Sequence, residues 1–466
     1  MSDKTYDLVI IGAGPGGYVA AIRAAQLGLR VACIEKEKNL GGTCLRVGCI
    51  PSKALLDSSE LYAQAKQKFS THGIVVDNIS LDLKKMLKRK EKVVKTLTGG
   101  VASLLKKNKV ERLQGTAKII SPNCVEVLND TSSRLNTTSI LVASGSVPAE
   151  LPFLPFDGER IVCSTEALSF STVPSRLIVI GAGPIGLELG SVWSRLGSQV
   201  LVVEAMERIV AGADVELSTQ LQKVLEKQGI EFKLGASVKA ATVGDKDVSI
   251  EIALASGETV TETADRILVA VGRKPYTDGL GLEDIGVICD ERGCINVNDQ
   301  FQTTVPGIYA IGDVVSGPML AHKAEEEGLA CAEIIAGQVS QVNYQAIPSV
   351  VYTWPELASV GLTEEQALED YEEIASGRFP FMANGRARAA DDCDGLVKII
   401  TDKKTDRIIG VHILGARASD LIAEATIVME FGGSAEDIAR TCHAHPTFSE
   451  TIKEAALDVA GRVIHK

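Results

Sequence analysis

The sequence predicts an α/β protein in which two copies of a strand–helix–strand unit precede a C-terminal α+β domain. Short apolar runs at Tyr6–Gly12 and Leu177–Gly181 each end in a glycine-rich turn that opens a helix-like segment. Continuous apolar runs of this length are typical of buried parallel strands. After Ile347 the strand-like and helix-like segments no longer alternate in this way, which indicates a domain of another class.

The elements of the first half follow from its apolar runs and from the Gly and Pro residues that interrupt them. The Pro-rich stretch Val147–Pro155 predicts a domain boundary. The predicted elements are the strand Tyr6–Gly12, the helix Tyr18–Gly28, the strand Arg30–Glu35, a helical region at residues 80–112 and short strands within residues 115–147.

The second half repeats the first unit and then changes its pattern. Its predicted elements are the strand Leu177–Gly181, the helix Leu187–Gly197, the strand Gln199–Glu204, strands within residues 230–270, the short strand Gly307–Asp313 and the helix Ala321–Ala336. The C-terminal domain is predicted to contain the strands Ser349–Tyr352, Gly395–Ile400 and Arg407–Leu414 and the helices Ala418–Phe431 and Glu450–Val459.

The composition argues against several classes of protein. The net charge is −12, and the most basic tract, Lys84–Lys95, has apolar residues at helical spacing, so it is interpreted as an amphipathic helix with a solvated face. No uncharged apolar run reaches the roughly 18 residues that span a membrane. The first strand begins at Tyr6 without a leader pattern before it. We therefore expect a cytoplasmic protein, or one processed into an organellar matrix, that binds no nucleic acid.

Each glycine-rich turn has the spacing Gly-x-Gly-x-x-Gly. The first Gly allows the tight turn, the second lets a pyrophosphate approach the backbone, and the third lets helix and strand pack closely. A single copy is also compatible with a simple packing turn, but here each copy follows a strand, opens a helix and precedes an acid at the end of the next strand. The residues are Gly12, Gly14 and Gly17 with Glu35, and Gly181, Gly183 and Gly186 with Glu204.

The acid that follows each turn indicates which nucleotide binds. Such an acid accepts hydrogen bonds from ribose hydroxyls. Because a carboxylate repels a 2′-phosphate, Glu204 favours NAD over NADP. Arg208 lies four residues further on and is interpreted as a solvated residue at the entry of a helix.

Cys44 and Cys49 form a close pair, whereas the other cysteines of the ten are scattered. In a reducing compartment such a pair is more often catalytic than structural. Side chains five positions apart do not meet on an ideal helix, but Gly48 between them eases a local distortion. A distorted disulfide is easier to reduce. Buried, unreactive thiols are the alternative that composition alone leaves open.

The segment Gly41–Lys53 resembles the redox-active site of the pyridine nucleotide–disulfide oxidoreductases with a Cys-x4-Cys pair. The resemblance spans the whole chain, since the two glycine turns are similar to the family's FAD and NAD(P) loops. It implies an α/β fold with two Rossmann-like dinucleotide-binding domains plus a C-terminal α+β dimerisation domain. The implied domains are 1–147 for FAD, 148–272 for NAD, 273–346 completing the FAD site, and 347–466 for dimerisation.

The resemblance also implies contacts with FAD and NAD outside the two turns. Asp313 matches the acid on the FAD ribityl chain, and Lys53 and Glu188 match an ion pair near the flavin ring. The full set of implied contacts outside the turns is Lys53, Gly115, Ser144, Gly145, Glu188, Val238, Gly272, Asp313, Met319, Ala321 and His322.

The C-terminal segment from His443 to Glu450 resembles the members of this family that oxidise dihydrolipoamide. The resemblance implies that His445 is the acid/base and Glu450 its orienting carboxylate, while His443 receives no role. A His–carboxylate pair suits proton transfer near neutral pH. Considered alone, the His-x-His pattern is also compatible with loop histidines or a metal site; no metal is predicted.

The implied reaction is a thiol–disulfide relay. A substrate thiol deprotonated by His445 attacks Cys44, Cys49 becomes the thiolate facing the flavin, and FAD passes the electrons to NAD. In this family the histidine comes from the other subunit, so a homodimer is expected. The implied partners are lipoyl domains and core subunits of 2-oxo acid dehydrogenase or glycine cleavage complexes.

Other members of the family fit less well. Glutathione reductase uses NADPH, which Glu204 disfavours; mercuric reductase usually has a C-terminal Cys pair, whereas the last cysteine here is Cys442; and a soluble transhydrogenase lacks the Cys pair. A flavoprotein with only a structural or regulatory role is the alternative from another class. Arg46 stands where relatives usually have Asn, and we expect a cation there to favour thiolate.

Overall fold

The computed structural model describes residues 5–129 and 132–466, which form two compact units of three chain segments each. Unit 1 contains residues 5–55, Lys84–Ala149 and Gly272–Val342. Unit 2 contains Leu56–Leu83, Glu150–Val271 and Asn343–Lys466. The sequential four-domain division stays a prediction. Among the helices of the described ranges, none has the length and apolarity that crossing a membrane requires.

The strands alternate with α-helices around the two glycine turns, and they follow one another without an α-helix from β3 to β8 and from β11 to β17. The strands are β1 (Thr5–Ile11), β2 (Val31–Glu35), β3 (Glu111–Gln114), β4 (Thr116–Ser121), β5 (Cys124–Leu128), β6 (Ser133–Val142), β7 (Ser146–Pro148), β8 (Ile161–Val162), β9 (Arg176–Ile180), β10 (Gln199–Val203), β11 (Ile230–Lys233), β12 (Ser237–Val243), β13 (Val248–Ala253), β14 (Thr259–Ala264), β15 (Arg266–Val269), β16 (Arg273–Pro275), β17 (Ile308–Ala310), β18 (Ser349–Val351), β19 (Glu356–Gly361), β20 (Ile374–Pro380), β21 (Leu396–Asp402) and β22 (Ile408–Gly415).

The α-helices are numbered separately in chain order. They are α1 (Pro15–Gln26), α2 (Gly42–Val47), α3 (Cys49–Gln67), α4 (Leu83–Lys107), α5 (Ser164–Ala167), α6 (Pro184–Leu196), α7 (Val215–Lys227), α8 (Ala321–Ile335), α9 (Glu364–Asp370), α10 (Gly385–Ala390), α11 (Ala418–Glu430), α12 (Ala435–Arg440) and α13 (Glu450–Val459).

Unit 1 is built around a sheet in the order β3-β2-β1-β6-β5-β4, with β17 also paired to β6. β1 is parallel to both of its neighbours. Leu8 and Ile10 enter the hydrophobic core on one face, with the alanines of α1, while Val9 and Ile11 enter the core on the other face. Burial on both faces explains why this strand is a continuous apolar run.

Unit 2 contains a parallel sheet in the order β11-β10-β9-β15-β8, an antiparallel sheet β12-β13-β14, and an antiparallel sheet β18-β19-β22-β21-β20. The last sheet shares a core with α11 and α13, in which Ile413, Ala425 and Ala455 are fully buried. The predicted α/β class with a C-terminal α+β domain is confirmed.

One predicted boundary is wrong. Residues 80–112 were expected to be helical, but α4 ends at Lys107 and the chain continues into β3 at Glu111. Lys109 adopts a positive φ of 59°, which turns the chain out of the helix. β3 then pairs with β2, and this sheet pairing overrides the local helical pattern.

Candidate active site

The first glycine turn joins β1 to α1 and is shaped by close backbone contacts. Gly12 has a φ of +104°, and a Cβ there would lie 2.3 Å from the carbonyl oxygen of Ala143. A Cβ on Gly17 would lie 2.0 Å from the carbonyl oxygen of Gly12. Gly14 is the N-cap residue of α1 and has no side chain to accept a hydrogen bond. The first N–H groups of the helix are therefore available to a phosphate.

The second turn joins β9 to α6 and repeats these contacts within unit 2. Gly181 has a φ of +105°, and its Cβ would lie 2.4 Å from the carbonyl oxygen of Ala270. A Cβ on Gly186 would lie 2.1 Å from the carbonyl oxygen of Gly181. Gly183 caps α6 without a side-chain cap, and a Cβ there would meet nothing within 4 Å. Both turns therefore fit the pyrophosphate of a dinucleotide.

The predicted ribose acids are fixed beside these turns. Oε2 of Glu35 accepts the N–H of Ala13 at 2.9 Å, and Oε2 of Glu204 accepts the N–H of Ala182 at 2.7 Å. The second oxygen of each acid accepts the N–H two residues further along the chain, at 3.0 Å and 2.8 Å. The carboxylates thus have the same placement in both copies, close to where a ribose would lie.

Arg208 is not the solvated helix-entry residue that the sequence suggested. α7 begins only at Val215, and Arg208 is half-buried in the loop before it. Its guanidinium donates to the carbonyl of Ala211. The Arg208 side chain therefore stabilises the loop in which it lies.

Cys44 and Cys49 lie on either side of a helix break. α2 ends before Gly48, which has φ −136° and ψ −115°, and α3 begins at Cys49. A Cβ on Gly48 would lie 2.9 Å from the carbonyl oxygen of Thr43. Both cysteines are present as thiols, and Cys44 is hydrogen-bonded to Cys49. The break thus brings together two side chains that a continuous helix would separate.

The pKa of the Cys44 thiol lies well above its ordinary value. The hydrogen bond with Cys49 is the main cause, and burial and the negative charges of Cys49 and Glu325 act in the same direction. Lys53 acts in the opposite direction. The two thiols are therefore strongly coupled, and the direction of the shift favours a protonated Cys44.

The guanidinium of Arg46 is less free to act on these thiols than the sequence suggested. Its NH1 lies 3.3 Å from the carboxylate of Glu37, and its side chain is only 20% exposed. An ion pair of this kind offsets part of the positive charge. The expected effect of Arg46 on the thiols stays a prediction.

Asp313 lies in the turn Gly312–Val314 that follows β17. Ser146 donates its hydroxyl hydrogen to the Asp313 carboxylate. Arg273 in turn donates from Nε to the Ser146 hydroxyl and from NH2 to the Ser146 carbonyl, both at 2.7 Å, and its NH2 lies 3.4 Å from the hydroxyl of Thr43. A polar network therefore connects the residue before Cys44 with the predicted ribityl acid. Sequence reasoning missed Ser146 and Arg273, because neither stands in a recognisable motif.

Other predicted cofactor residues also belong to unit 1. Ser144 donates to the carbonyl of Tyr276 at 2.7 Å. Positive φ angles occur at Gly115, Gly145 and Gly272. At the start of α8, Met319 and Ala321 are half-buried and His322 is exposed.

In unit 2, Glu188 is only 5% exposed, and its Oε1 accepts the N–H of Tyr352 at 3.1 Å. Glu188 is therefore not a solvated helix residue. Its pairing with Lys53 stays a prediction.

Val238 is the other predicted cofactor residue of unit 2 outside the glycine turn. Its side chain lies in the hydrophobic core, so a cofactor would reach only its backbone.

His445 and Glu450 form a hydrogen-bonded pair in unit 2. Nδ1 of His445 lies 2.9 Å from Oε1 of Glu450, and the N–H of Thr447 donates to Oε2 at 2.8 Å. The imidazole is 79% exposed, so Nε2 is open to a substrate. Burial raises the pKa of Glu450, but the N–H of Thr447 and the imidazole outweigh it and bring that pKa below the ordinary value. The carboxylate therefore stays charged and orients the ring.

A second His–Glu pair, which the sequence did not reveal, lies two residues away. Nε2 of His443 lies 2.7 Å from Oε1 of Glu424, and Nδ1 lies 3.0 Å from the carbonyl of Thr441. Both partners are acceptors, so both ring nitrogens carry hydrogen and the imidazole is charged. The hydrogen bond to Glu424 is the main reason why the pKa of His443 is raised.

Two family models match the chain. The pyridine nucleotide-disulphide oxidoreductase model matches residues 6–328, and the dimerisation-domain model of the same family matches residues 347–456. Similar relatives include the mitochondrial dihydrolipoyl dehydrogenase of Pisum sativum, 53% identical over 98% of this chain and 92% of that protein. Dihydrolipoyl dehydrogenase 3 of Pseudomonas aeruginosa is 50% identical over 99% of both chains. A leghemoglobin reductase of Glycine max is 52% identical over 97% of this chain and 87% of that protein.

The fold is also found among solved structures. The copper(II) complex of the HOCl-induced flavoprotein disulfide reductase RclA from Escherichia coli has a TM-score of 0.87 and 27% identity over 97% of this chain and 99% of that one. Sequence and fold agree along nearly the whole chain. The protein therefore belongs to the pyridine nucleotide-disulphide oxidoreductase family.

Proposed function

We propose that this chain is a dihydrolipoyl dehydrogenase, which oxidises dihydrolipoamide to lipoamide and reduces NAD to NADH. The observation that carries the proposal is the hydrogen-bonded pair Cys44 and Cys49 at a helix break, in the same unit as the first glycine turn. Relatives with that name at 50–53% identity support the choice of substrate. As in its family, the cofactors are FAD and NAD.

In the oxidised enzyme the two cysteines form a disulfide, and His445 starts the reaction. Its Nε2 takes the proton from one substrate thiol, while Glu450 holds the hydrogen on Nδ1 and stabilises the imidazolium. The substrate thiolate attacks Sγ of Cys44, the bond between Cys44 and Cys49 breaks, and Cys49 leaves as thiolate.

The second substrate thiol then attacks the first substrate sulfur. Lipoamide closes its ring, and Cys44 leaves with the electron pair of the mixed disulfide. Cys44 takes up the proton that the second substrate thiol gives up, which the raised pKa of Cys44 favours, and the negative charge remains on Cys49. Bound FAD supplies the two-electron relay between this dithiol and NAD.

The test is the steady-state reduction of NAD by dihydrolipoamide in Cys44→Ser and Cys49→Ser variants. Each should lower the rate by at least about a thousandfold while FAD stays bound, because the relay needs both sulfurs. Cys124→Ser, a half-buried cysteine on β5, is the matched control and should keep full activity. Full activity of Cys44→Ser would reject the relay.

The match to the dimerisation-domain model supports a homodimer. We further propose that His445 serves the cysteines of the partner subunit. Lipoyl domains and core subunits of 2-oxo acid dehydrogenase or glycine cleavage complexes are the proposed partners. The names of several relatives favour a mitochondrial matrix location, and the bacterial relative is compatible with the cytoplasm. Co-purification with a lipoyl-domain protein would test the partners.

A further inference from the structure

We propose that Lys323 and Glu327 are positioning residues of the flavin site, whose buried ion pair fixes the turn that presents Asp313 to FAD. The inference rests on the proposed function only in requiring FAD at this site. Neither residue would touch the flavin. Both would act through the backbone of Gly312, which lies between β17 and Asp313.

The pair engages both hydrogen-bonding groups of Gly312. Nζ of Lys323 lies 2.9 Å from Oε1 of Glu327, and the two side chains are 0% and 1% exposed. Oε2 of Glu327 accepts the N–H of Gly312 at 2.7 Å. Nζ of Lys323 donates to the carbonyl of Gly312 at 3.1 Å, and that carbonyl belongs to the same peptide as the N–H of Asp313. Gly312, the residue before the predicted ribityl acid, is therefore held at both its N–H and its carbonyl.

The helix that carries the pair is itself fixed against the first glycine turn. A Cβ on Gly16 of α1 would lie 2.9 Å from the carbonyl oxygen of Ala324, and a Cβ on Gly328 of α8 would lie 2.6 Å from the carbonyl oxygen of Gly16. α1 presents its N-terminus to the pyrophosphate site, and α8 holds Asp313. The two ends of the FAD site are thus positioned by one close-packed helix pair.

Stability alone does not explain a buried pair of this kind. Removing two charges from water is costly, and apolar replacements of similar volume often leave stability unchanged or raise it. What apolar side chains could not do is bond the N–H and the carbonyl of Gly312. The carboxylate of Asp313 is held separately by Ser146. The arrangement therefore constrains the acid through both its backbone and its side chain, as a precise ligand contact requires.

The test is the rate of FAD release from the holoenzyme, followed by the rise in flavin fluorescence on dilution. Glu327→Gln and the double variant Lys323→Met with Glu327→Met should each release FAD about tenfold faster, the size of effect expected when a group that orients a ligand is removed. Glu326→Gln, an exposed neighbour on the same helix, is the control and should release FAD at the parent rate. Unchanged release in Glu327→Gln would overturn the proposal.

A second measurement separates positioning from general loosening of the fold. In an Asp313→Asn background, Glu327→Gln should add little further effect, because both changes act on one contact. Full additivity of the two effects would show that the pair does not act through Asp313 and would overturn the proposal. Cys44→Ser should abolish the relay but does not alter this network. Turnover of dihydrolipoamide therefore tests the proposed function, and the rate of FAD release tests the role of Lys323 and Glu327.

Discussion

Glu204 accepts hydrogen bonds from two backbone N–H groups beside the second glycine turn, and its predicted role is to bind the ribose of NAD. We predict that Glu204→Gln lowers kcat/KM for NAD about tenfold and reduces the preference over NADP, because the amide no longer repels a 2′-phosphate. Initial rates with both nucleotides measure this. Glu207→Gln, an exposed acid three residues on, should change neither value. If Glu204→Gln preferred NAD over NADP as strongly as the parent does, Glu204 would not determine which nucleotide binds.

His443 makes a pH-dependent contribution to stability. Its pKa is raised from the ordinary 6.5 by Glu424, so the contribution is complete below that value and is lost as the pH rises through the pKa of the folded state. We predict that His443→Gln lowers the thermal midpoint by about 2–4 °C near pH 6 and by much less near pH 9. Scanning calorimetry at both pH values tests this.

The exposed His72 provides a control for the pH effect, since His72→Gln should leave the midpoint unchanged at both pH values. An equal loss of stability at both pH values in His443→Gln would show that the imidazole is not charged in the folded protein.

At the scale of single residues, the sequence identified groups that stand in motifs. It pointed to Cys44, Cys49 and His445 through spacing and resemblance. It did not point to Arg273 or Ser146, which acquire their importance only from contacts between segments far apart in the chain. The Lys323–Glu327 pair also escaped notice, because a Lys and a Glu four residues apart in a polar helix are usually solvated.

The break between α2 and α3 is the element on which the thiol pair depends. We predict that Gly48→Ala slows turnover by about tenfold to a hundredfold, because the methyl group would lie against the Thr43 carbonyl and displace the cysteines. Titration of free thiols during air oxidation would show slower disulfide formation. Gly100→Ala in α4, where a Cβ meets nothing within 4 Å, should instead stabilise the protein slightly. Normal oxidation of Gly48→Ala would contradict this role of the break.

Elements of the two repeated units were predicted well, because continuous apolar strands and glycine turns carry strong local signals. Strand β3, in contrast, was not predicted, because it carries no such local signal. Glu111–Gln114 contains one apolar residue, and its strand conformation comes from pairing with β2, which lies about 80 residues earlier in the chain. Pairing over such a distance leaves no periodic pattern in the strand itself.

At the scale of the whole molecule, the proposed exchange of His445 between subunits can be tested by complementation. Cys44→Ser and His445→Gln chains, each inactive alone, are unfolded, mixed equally and refolded with FAD. If the subunits share sites, mixed dimers contain one intact site, and the mixture should recover about a quarter of the parent activity. If each chain builds its own site, no activity returns. Refolded parent protein calibrates the yield.

Domain organisation was only partly accessible from the sequence. The duplication and the change of pattern after Ile347 were visible as local features. The return of Gly272–Val342 to unit 1 was expected only through the family resemblance, which implied that residues 273–346 complete the FAD site, because the return depends on β17 pairing with β6 and on α8 packing against α1. Neither contact is encoded in the pattern of the returning segment alone.

The discontinuity of unit 1 has a consequence for biosynthesis. Tyr18 on α1 bonds to Glu325 on α8, 307 residues later. At translation speeds of about 5–20 residues per second, the nascent α1 waits roughly 15–60 s for its partner helix. During that interval α1 lacks its contacts with α8, which include the close approach of Gly16 to Ala324. FAD can therefore be captured only late in synthesis, when most of the polypeptide has left the ribosome.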